Sequence, residues 1–463
     1  MTKPKLPDGP KKLPLLQLIQ WIADPAEFLE TCEQRYGDCF TATFSNFRNF
    51  VFISNPQAIE QIFTANPKQF DVGRANTIVR PTVGNNSLLL LDGDRHSSQR
   101  QLLMPPFHGE RMRAYSQLIF QITEEVTKEW IQGQAFTVRP FMQEISLQLI
   151  LQAVFGLEEG QKYQQLKQLL TSLLEFTTSR FNFFLAFFPA LQRDFGPWSP
   201  GGIFIRKKQE IDDIIYTLIQ ERREKPDPSR TDILSLLMSA RDATGQPMTD
   251  IELRDELITL LVAGHETTAT ALTWALYWIH RLPEVKEKLL KELETLGENP
   301  EPNAITRLPY LSAICSETLR IYPITLITGP RIVKSPVEIM GYKFEPETML
   351  APCVYLTHQR EDIYPEPKQF KPERFLERQF SPYEYLPFGG GNRRCIGAAF
   401  ALFEMKLALV SIVSQFQLAL ADQRPVKPVR RGVTMAPEGG VSMVMMGKRQ
   451  RREHIPQPTV GTV

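Results

Sequence analysis

Cysteine is scarce in this chain. Of 463 residues only Cys32, Cys39, Cys315, Cys353 and Cys395 carry a thiol, an odd number with no paired metal-ligand spacing. That excludes a disulfide framework, fits a reducing compartment and argues against a zinc site. An excess of one charge is also missing: 53 Lys and Arg face 52 Asp and Glu, a net charge of +1. General binding to nucleic acid is therefore not expected. The N-terminal run Met1-Thr2-Lys3-Pro4-Lys5-Leu6-Pro7-Asp8-Gly9-Pro10 lacks the roughly 18 continuous apolar residues that span a bilayer, so no transmembrane anchor is expected. There is no internal repeat, low-complexity tract or long flexible linker. What remains is ordinary globular composition, 42% hydrophobic and 23% charged, enough for a large core.

The most informative segment is Phe388-Gly389-Gly390-Gly391-Asn392-Arg393-Arg394-Cys395-Ile396-Gly397, a glycine-rich loop that delivers one cysteine to an apolar helical stretch over 396–416. A thiolate that ligates iron needs hydrogen-bond donors around sulfur, and glycines let backbone N–H groups approach it. A helix N-terminus just beyond favours negative charge there. Phe388 can shield the sulfur from water, Arg393 can neutralise a haem propionate, and Gly397 leaves room for a porphyrin edge. Taken alone, Cys395 would be read as a buried free thiol beside a turn.

The ten residues match the F-x-x-G-x-R-x-C-x-G signature of the cytochrome P450 superfamily at every specified position, and the chain is identified as resembling that family. Chance agreement at five fixed positions is roughly a one in ten thousand event in a chain this long, so the motif is specific. The resemblance runs from the proline-rich start to the sheet-like 433–446 segment. It implies a mostly α fold with a small β region and a long central helix over the haem. It also implies haem b with an axial cysteine thiolate, Cys395, as the iron ligand.

Three further segments support it. In Leu311-Ser312-Ala313-Ile314-Cys315-Ser316-Glu317-Thr318-Leu319-Arg320-Ile321-Tyr322-Pro323, Glu317 and Arg320 share a helix face, a pair worth only tenths of a kcal/mol if solvated. The resemblance adds Arg374, from Phe370-Lys371-Pro372-Glu373-Arg374-Phe375, as third member of a partly buried network that pins the cysteine loop from behind. Thr249-Asp250-Ile251-Glu252 has a capping-box pattern and opens a helix that continues to Pro283, about 45–50 Å at 1.5 Å per residue. Midway lies Ala263-Gly264-His265-Glu266-Thr267-Thr268, which matches the family's A/G-G-x-D/E-T-T/S pattern. Gly264 is expected to clear space for a haem face. A mid-helix threonine bonds its hydroxyl to the carbonyl one turn earlier and opens a groove. The resemblance makes Thr267 the residue that holds dioxygen and Glu266 the one that feeds protons; His265 is assigned no chemistry.

Earlier, Leu91-Asp92-Gly93-Asp94-Arg95-His96-Ser97-Ser98-Gln99-Arg100 resembles the segment where relatives carry tryptophan and arginine four residues apart. Here His96 replaces the tryptophan, and with Arg100 it can grip a haem propionate from one helix face. Arg331 is a further propionate candidate. His358 reads as structural, and Arg80 as a solvated loop arginine.

Helical patterns dominate 114–296, including 143–155 and 203–223, and short strands are expected at 50–53 and 332–349. Because the motifs span His96 to Gly397, residues 1–447 are read as one catalytic unit. It begins with a proline-rich entrance over 1–14, and a basic tail follows over 448–463. Segments 88–96 and 105–113 are similar to the cyanobacterial fatty-acid-hydroxylase branch. Phe176, Phe181, Phe183, Phe184, Phe187 and Phe188 crowd a region that forms the pocket roof in relatives. Ile324, Leu326, Ile327, Met435 and Ala436 occupy stretches that line it.

The implied activity is monooxygenation of an apolar small-molecule substrate, a fatty acid or terpenoid, by O2. No flavin or iron–sulfur domain is recognisable. A separate ferredoxin or flavodoxin with its reductase is thus the implied electron source, docking where Arg394 and Lys406 offer positive charge. The implied location is cytoplasmic or peripheral to a membrane. The competing readings are a haem-thiolate peroxygenase or hydroperoxide isomerase, and a non-catalytic haem- or ligand-binding protein.

Overall fold

Helix dominates the computed structural model, which describes residues 6–44, 49–107, 111–297 and 300–449. The helices that frame the site are α1 (Pro14–Ala23), α2 (Gly93–Leu103), α3 (Arg111–Thr127), α4 (Val138–Phe155), α5 (Gln161–Thr178), α6 (Arg180–Leu185), α7 (Pro200–Glu224), α8 (Asp250–Arg281), α9 (Pro309–Ile321) and α10 (Ala398–Gln415).

Helix α8 starts where its capping box places it. The Thr249 hydroxyl accepts from the Glu252 N–H at 3.3 Å, and the Glu252 carboxylate accepts from the Thr249 N–H at 2.9 Å. Two otherwise orphaned donors are thereby satisfied. Its 32 residues are buried on nearly every side, including Leu253, Leu257, Leu272, Trp274 and Leu276, so it runs through the core rather than along the surface. It packs most extensively on α4 and also on α10 and α9. Helix α10 is the one helix among the described residues long and apolar enough to cross a membrane, and it packs against α3 and α8.

Beside the helices lies a five-stranded sheet of β1 (Cys39–Thr43), β2 (Asn49–Ile53), β3 (Phe70–Asp71), β4 (Arg331–Val333) and β5 (Met349–Pro352), in the order β1-β2-β5-β4-β3. Only β2 and β5 pair in parallel. The strand region expected over 332–349 is thus broken up. Val337–Ile339 and Tyr342–Phe344 form their own hairpin across Met340 and Gly341, both at positive φ, the geometry a two-residue turn demands. The 433–446 region divides in the same way. A hairpin of β6 (Pro428–Arg431) and β7 (Thr434–Pro437) is followed by a separate strand, Ser442–Lys448.

That last strand also corrects the tail boundary. Lys448 pairs with Phe416, and Arg449 donates its N–H to the Gln415 carbonyl at 2.8 Å. The ordered fold therefore runs through Arg449, and residues 450–463 lie outside the described residues.

Candidate functional site

The cysteine loop folds over Phe63. Gly389 and Gly391 adopt φ of 66° and 63°. A Cβ at Gly390 would stand 2.3 Å from the Phe63 ring, and one at Gly391 would stand 2.8 Å from the Phe63 carbonyl. These glycines serve the turn and its close seating on Phe63. The Cys395 N–H donates to the Phe388 carbonyl at 2.9 Å, closing the loop. The other four cysteines are buried, while Cys395 opens onto a cavity. Protein packed behind it pushes its thiol up; the Gly397 N–H, Arg100 and Arg394 pull the other way. Gly397 has open space where a side chain would stand.

The cavity measures about 940 Å³. Cys395, Phe388 and Gly397 line it, and so do Ala263, Gly264, Glu266 and Thr267 of α8. The Thr267 hydroxyl donates to the Ala263 carbonyl at 2.6 Å, the back-bond read from the sequence. Gly264 lines the cavity and also faces α4. A Cβ there would stand 2.8 Å from Ile150 Cδ1, so the missing side chain lets α8 close on α4.

Glu266 is buried and tightly partnered. Arg139, in the first turn of α4, forms an ion pair with it; Gln143 Nε2 donates to Oε2 at 2.9 Å; and Arg431 Nε lies 3.7 Å from Oε1. Sequence reading missed both arginines, whose meeting with Glu266 leaves no mark in the local spacing. His265 turns away, its Nε2 donating to the Gln143 carbonyl at 3.1 Å.

At the cavity edge His96, Arg100, Arg331 and Arg393 converge. Burial, Arg393 and Arg100 hold His96 down at about 4, so it is neutral. Arg331 is buried without a carboxylate partner among the described residues. It lies over the Phe63 ring at 4.6 Å and donates to the Gly329 carbonyl at 2.9 Å, and burial lowers it to about 9. Arg393 Nη2 donates to Asp92 Oδ1 and to the Leu91 carbonyl, both at 2.7 Å. Its Nε is buried without a partner. Three guanidinium groups beside a single carboxylate make a net positive edge that suits a dianion such as the two propionates of haem.

Behind the loop, Arg320 donates from Nε to Glu317 Oε2 at 2.6 Å and from Nη2 to Oε1 at 2.8 Å; Arg374 Nε donates to Oε1 at 3.1 Å. The triad is more deeply buried than expected, with Glu317 and Arg320 wholly enclosed. Lys406 is not a surface cation. Its Nζ donates to the Thr306 carbonyl at 2.6 Å and the Ser312 hydroxyl at 2.7 Å, whereas Arg394 is exposed.

Of the apolar candidates, Ile324, Ile327, Phe176 and Phe183 line the cavity. Leu326, Met435 and Phe187 belong instead to a cluster under α1, with Phe184 and Phe188 packed against it. Ala436 is buried away from the lining, its place taken by Val433 and Thr434, and Phe181 faces solvent, as does Arg80. Two buried acids were missed altogether. Glu256 and Glu404 both line the cavity, and burial pushes each up to about 8.

The family model described as Cytochrome P450 matches residues 7–443. Cytochrome P450 135B1 of Mycobacterium tuberculosis is 35% identical over 458 residues, covering 96% of this chain and 92% of that protein. Cytochrome P450 138 of the same organism is 33% identical over 439 residues, covering 94% and 95%. Among solved structures, retinoic acid-bound cyanobacterial CYP120A1 superposes with a TM-score of 0.83 at 23% identity, covering 96% of this chain and 100% of that one. The cytochrome P450DA heme domain superposes equally well, also at 23% identity. At that identity the two structures establish the fold.

Proposed function

The chain belongs to the cytochrome P450 family, and from that membership we propose that Cys395 holds the iron of a monooxygenase acting on a fatty acid or terpenoid. Members of the family are haem-thiolate enzymes, and haem b held by a cysteine supplies the dioxygen and one-electron chemistry. The observation that carries the assignment is that Cys395 alone of five cysteines opens onto the cavity that Thr267 lines.

Each remaining role belongs to a residue of this chain. Arg100, Arg331, Arg393 and neutral His96 hold the propionates, the last by donating a hydrogen bond. Phe388 keeps water from sulfur, and Gly397 leaves the porphyrin edge room. The Thr267 back-bond opens the helix groove and orients the hydroxyl at the site where dioxygen reacts. Glu266 lines the same cavity, and a proton reaching its carboxylate passes to water there, while Arg139 and Arg431 fix its position. Apolar walls from Ile324, Ile327, Phe176 and Phe183 bind substrate by burial. Electrons come singly from a ferredoxin or flavodoxin with its reductase, which docks near the exposed Arg394.

The test is the reduced, carbon-monoxide-bound difference spectrum of the purified protein beside Cys395→Ser. A Soret band shifted far to the red and lost in the variant is expected. A spectrum unchanged by the substitution would sink the assignment.

A further inference from the structure

Asp92 occupies the N-cap position of α2, where an aspartate ordinarily caps its own helix, yet its carboxylate makes no such bond. That carboxylate serves elsewhere. Oδ1 accepts from the Val72 N–H at 2.8 Å, the Gly73 N–H at 2.9 Å and Arg393 Nη2 at 2.7 Å, and Oδ2 accepts from the Arg74 N–H at 3.2 Å. One side chain thus joins three segments: the stretch over 72–74, the head of the helix that carries His96 and Arg100, and the cysteine loop. Val72, His96, Arg100 and Arg393 all line the cavity. Gly73 makes room for the joint, since a Cβ there would stand 2.1 Å from the Leu90 carbonyl oxygen and 3.0 Å from Asp92 Oδ2.

The segment that bears Asp92 holds Arg393 by geometry as well as by charge. Nη2 also donates to the Leu91 carbonyl at 2.7 Å, and Nη1 to the Leu88 carbonyl at 3.4 Å. Two carbonyls therefore fix where the guanidinium sits, and Asp92 supplies the full opposing charge. Of the three guanidinium groups at this edge, only Arg393 has a carboxylate partner among the described residues. Asp71, the acid of the adjoining strand, is engaged by Arg74 and Lys334, both at 3.3 Å.

An offset on one of three cations grades the positive field at the haem edge. Ferrous iron carries one positive charge fewer than ferric iron, so a positive field favours reduction and a nearby carboxylate opposes it.

We propose that Asp92 is a positioning residue that, acting through Arg393, sets the reduction potential of the haem. It draws part of the guanidinium's field away from the propionates and keeps the potential below what the three cations alone would give. This rests on the haem-thiolate reading above.

The experiment is a spectroelectrochemical titration of the haem-loaded protein, wild type beside Asp92→Asn. That change keeps an acceptor for the Val72 and Gly73 N–H groups and removes the charge, while the Leu88 and Leu91 carbonyls still hold Arg393. The ferric/ferrous midpoint should shift to more positive potential, and haem should pass to apomyoglobin no faster than from the wild type. Gly73→Ala strains the same joint without changing a charge, so it should lower the melting temperature and leave the midpoint where it was. If Asp92→Asn does not hold haem, Asp92→Ser, whose hydroxyl can cap α2, gives the same midpoint reading. A charge-removing variant with the wild-type midpoint would overturn the proposal. So would a Gly73→Ala midpoint displaced as far as that of Asp92→Asn, because the haem would then feel the joint and not the charge. Failure of the haem-thiolate reading would show instead in the wild type itself, as a missing red-shifted carbon monoxide band.

Discussion

The backbone N–H of Leu386 donates to Nε2 of His358 at 3.0 Å, so that nitrogen carries no proton and the imidazole is neutral. The other ring nitrogen, Nδ1, then donates to the Arg320 carbonyl at 3.2 Å. His358 thereby ties the Glu317–Arg320 pair to the segment that enters the cysteine loop. Burial and the Arg320 charge hold His358 down at about 3, and burial with Lys286 holds His280 down at about 3.

A histidine lowered in the folded state gives stability that is intact above its unfolded value near 6.5 and is lost as pH falls toward the folded value. Between pH 6.5 and 4 each of these two should cost roughly 1.4 kcal/mol per pH unit. Urea midpoints measured across that window should fall steeply. His358→Gln keeps an acceptor for Leu386 and a donor for Arg320 but cannot titrate, so it should flatten the slope by about one proton; an unchanged slope would refute the assignment.

Glu317 is the one carboxylate between two buried guanidinium groups. Glu317→Gln should leave Arg320 and Arg374 uncompensated and cost about 3–5 kcal/mol. The loss should appear in thermal unfolding together with reduced haem retention. A variant of wild-type stability would mean that the network contributes nothing.

Glu404 lies in the opposite regime. Burial raises it from 4.5 to about 8, and its Oε1 has no partner, so the fold loses stability as pH climbs from 4.5 to 8. Glu404→Gln should match the wild type near pH 4.5 and be the more stable protein at pH 8. A difference independent of pH would show that the acid does not titrate as its burial implies.

Gly264→Ala brings a methyl group to 2.8 Å from Ile150 Cδ1. Crowding of this kind costs about 1–3 kcal/mol, against about 1 kcal/mol of helix propensity gained. The single variant should be neutral or destabilised, whereas in an Ile150→Val background, which lacks that methyl, the same change should stabilise. Equal effects in both backgrounds would place the strain elsewhere.

Thr267→Ala removes the hydroxyl but keeps the helix. Substrate binding, read from the ferric Soret shift with fatty acids and terpenoids, should be retained. Product formed per electron consumed should fall, with peroxide released instead. Undiminished coupling would remove Thr267 from the chemistry.

The sequence by itself determined what depends on near neighbours: the turn that presents Cys395, the Thr249–Glu252 capping box, the Thr267 back-bond to Ala263 and the Glu317–Arg320 pair. Each is made within a few residues, where spacing dictates geometry. Only the tertiary structure decided which partners meet across the chain. Glu266 finds Arg139 from 127 residues away, Arg393 is claimed by Asp92 from 301 residues away, and Lys406 turns inward onto Thr306 and Ser312. Such meetings follow from which helix faces pack together, as do the enclosed charge states of His358 and Glu404. A spacing pattern holds no record of the burial that sets them.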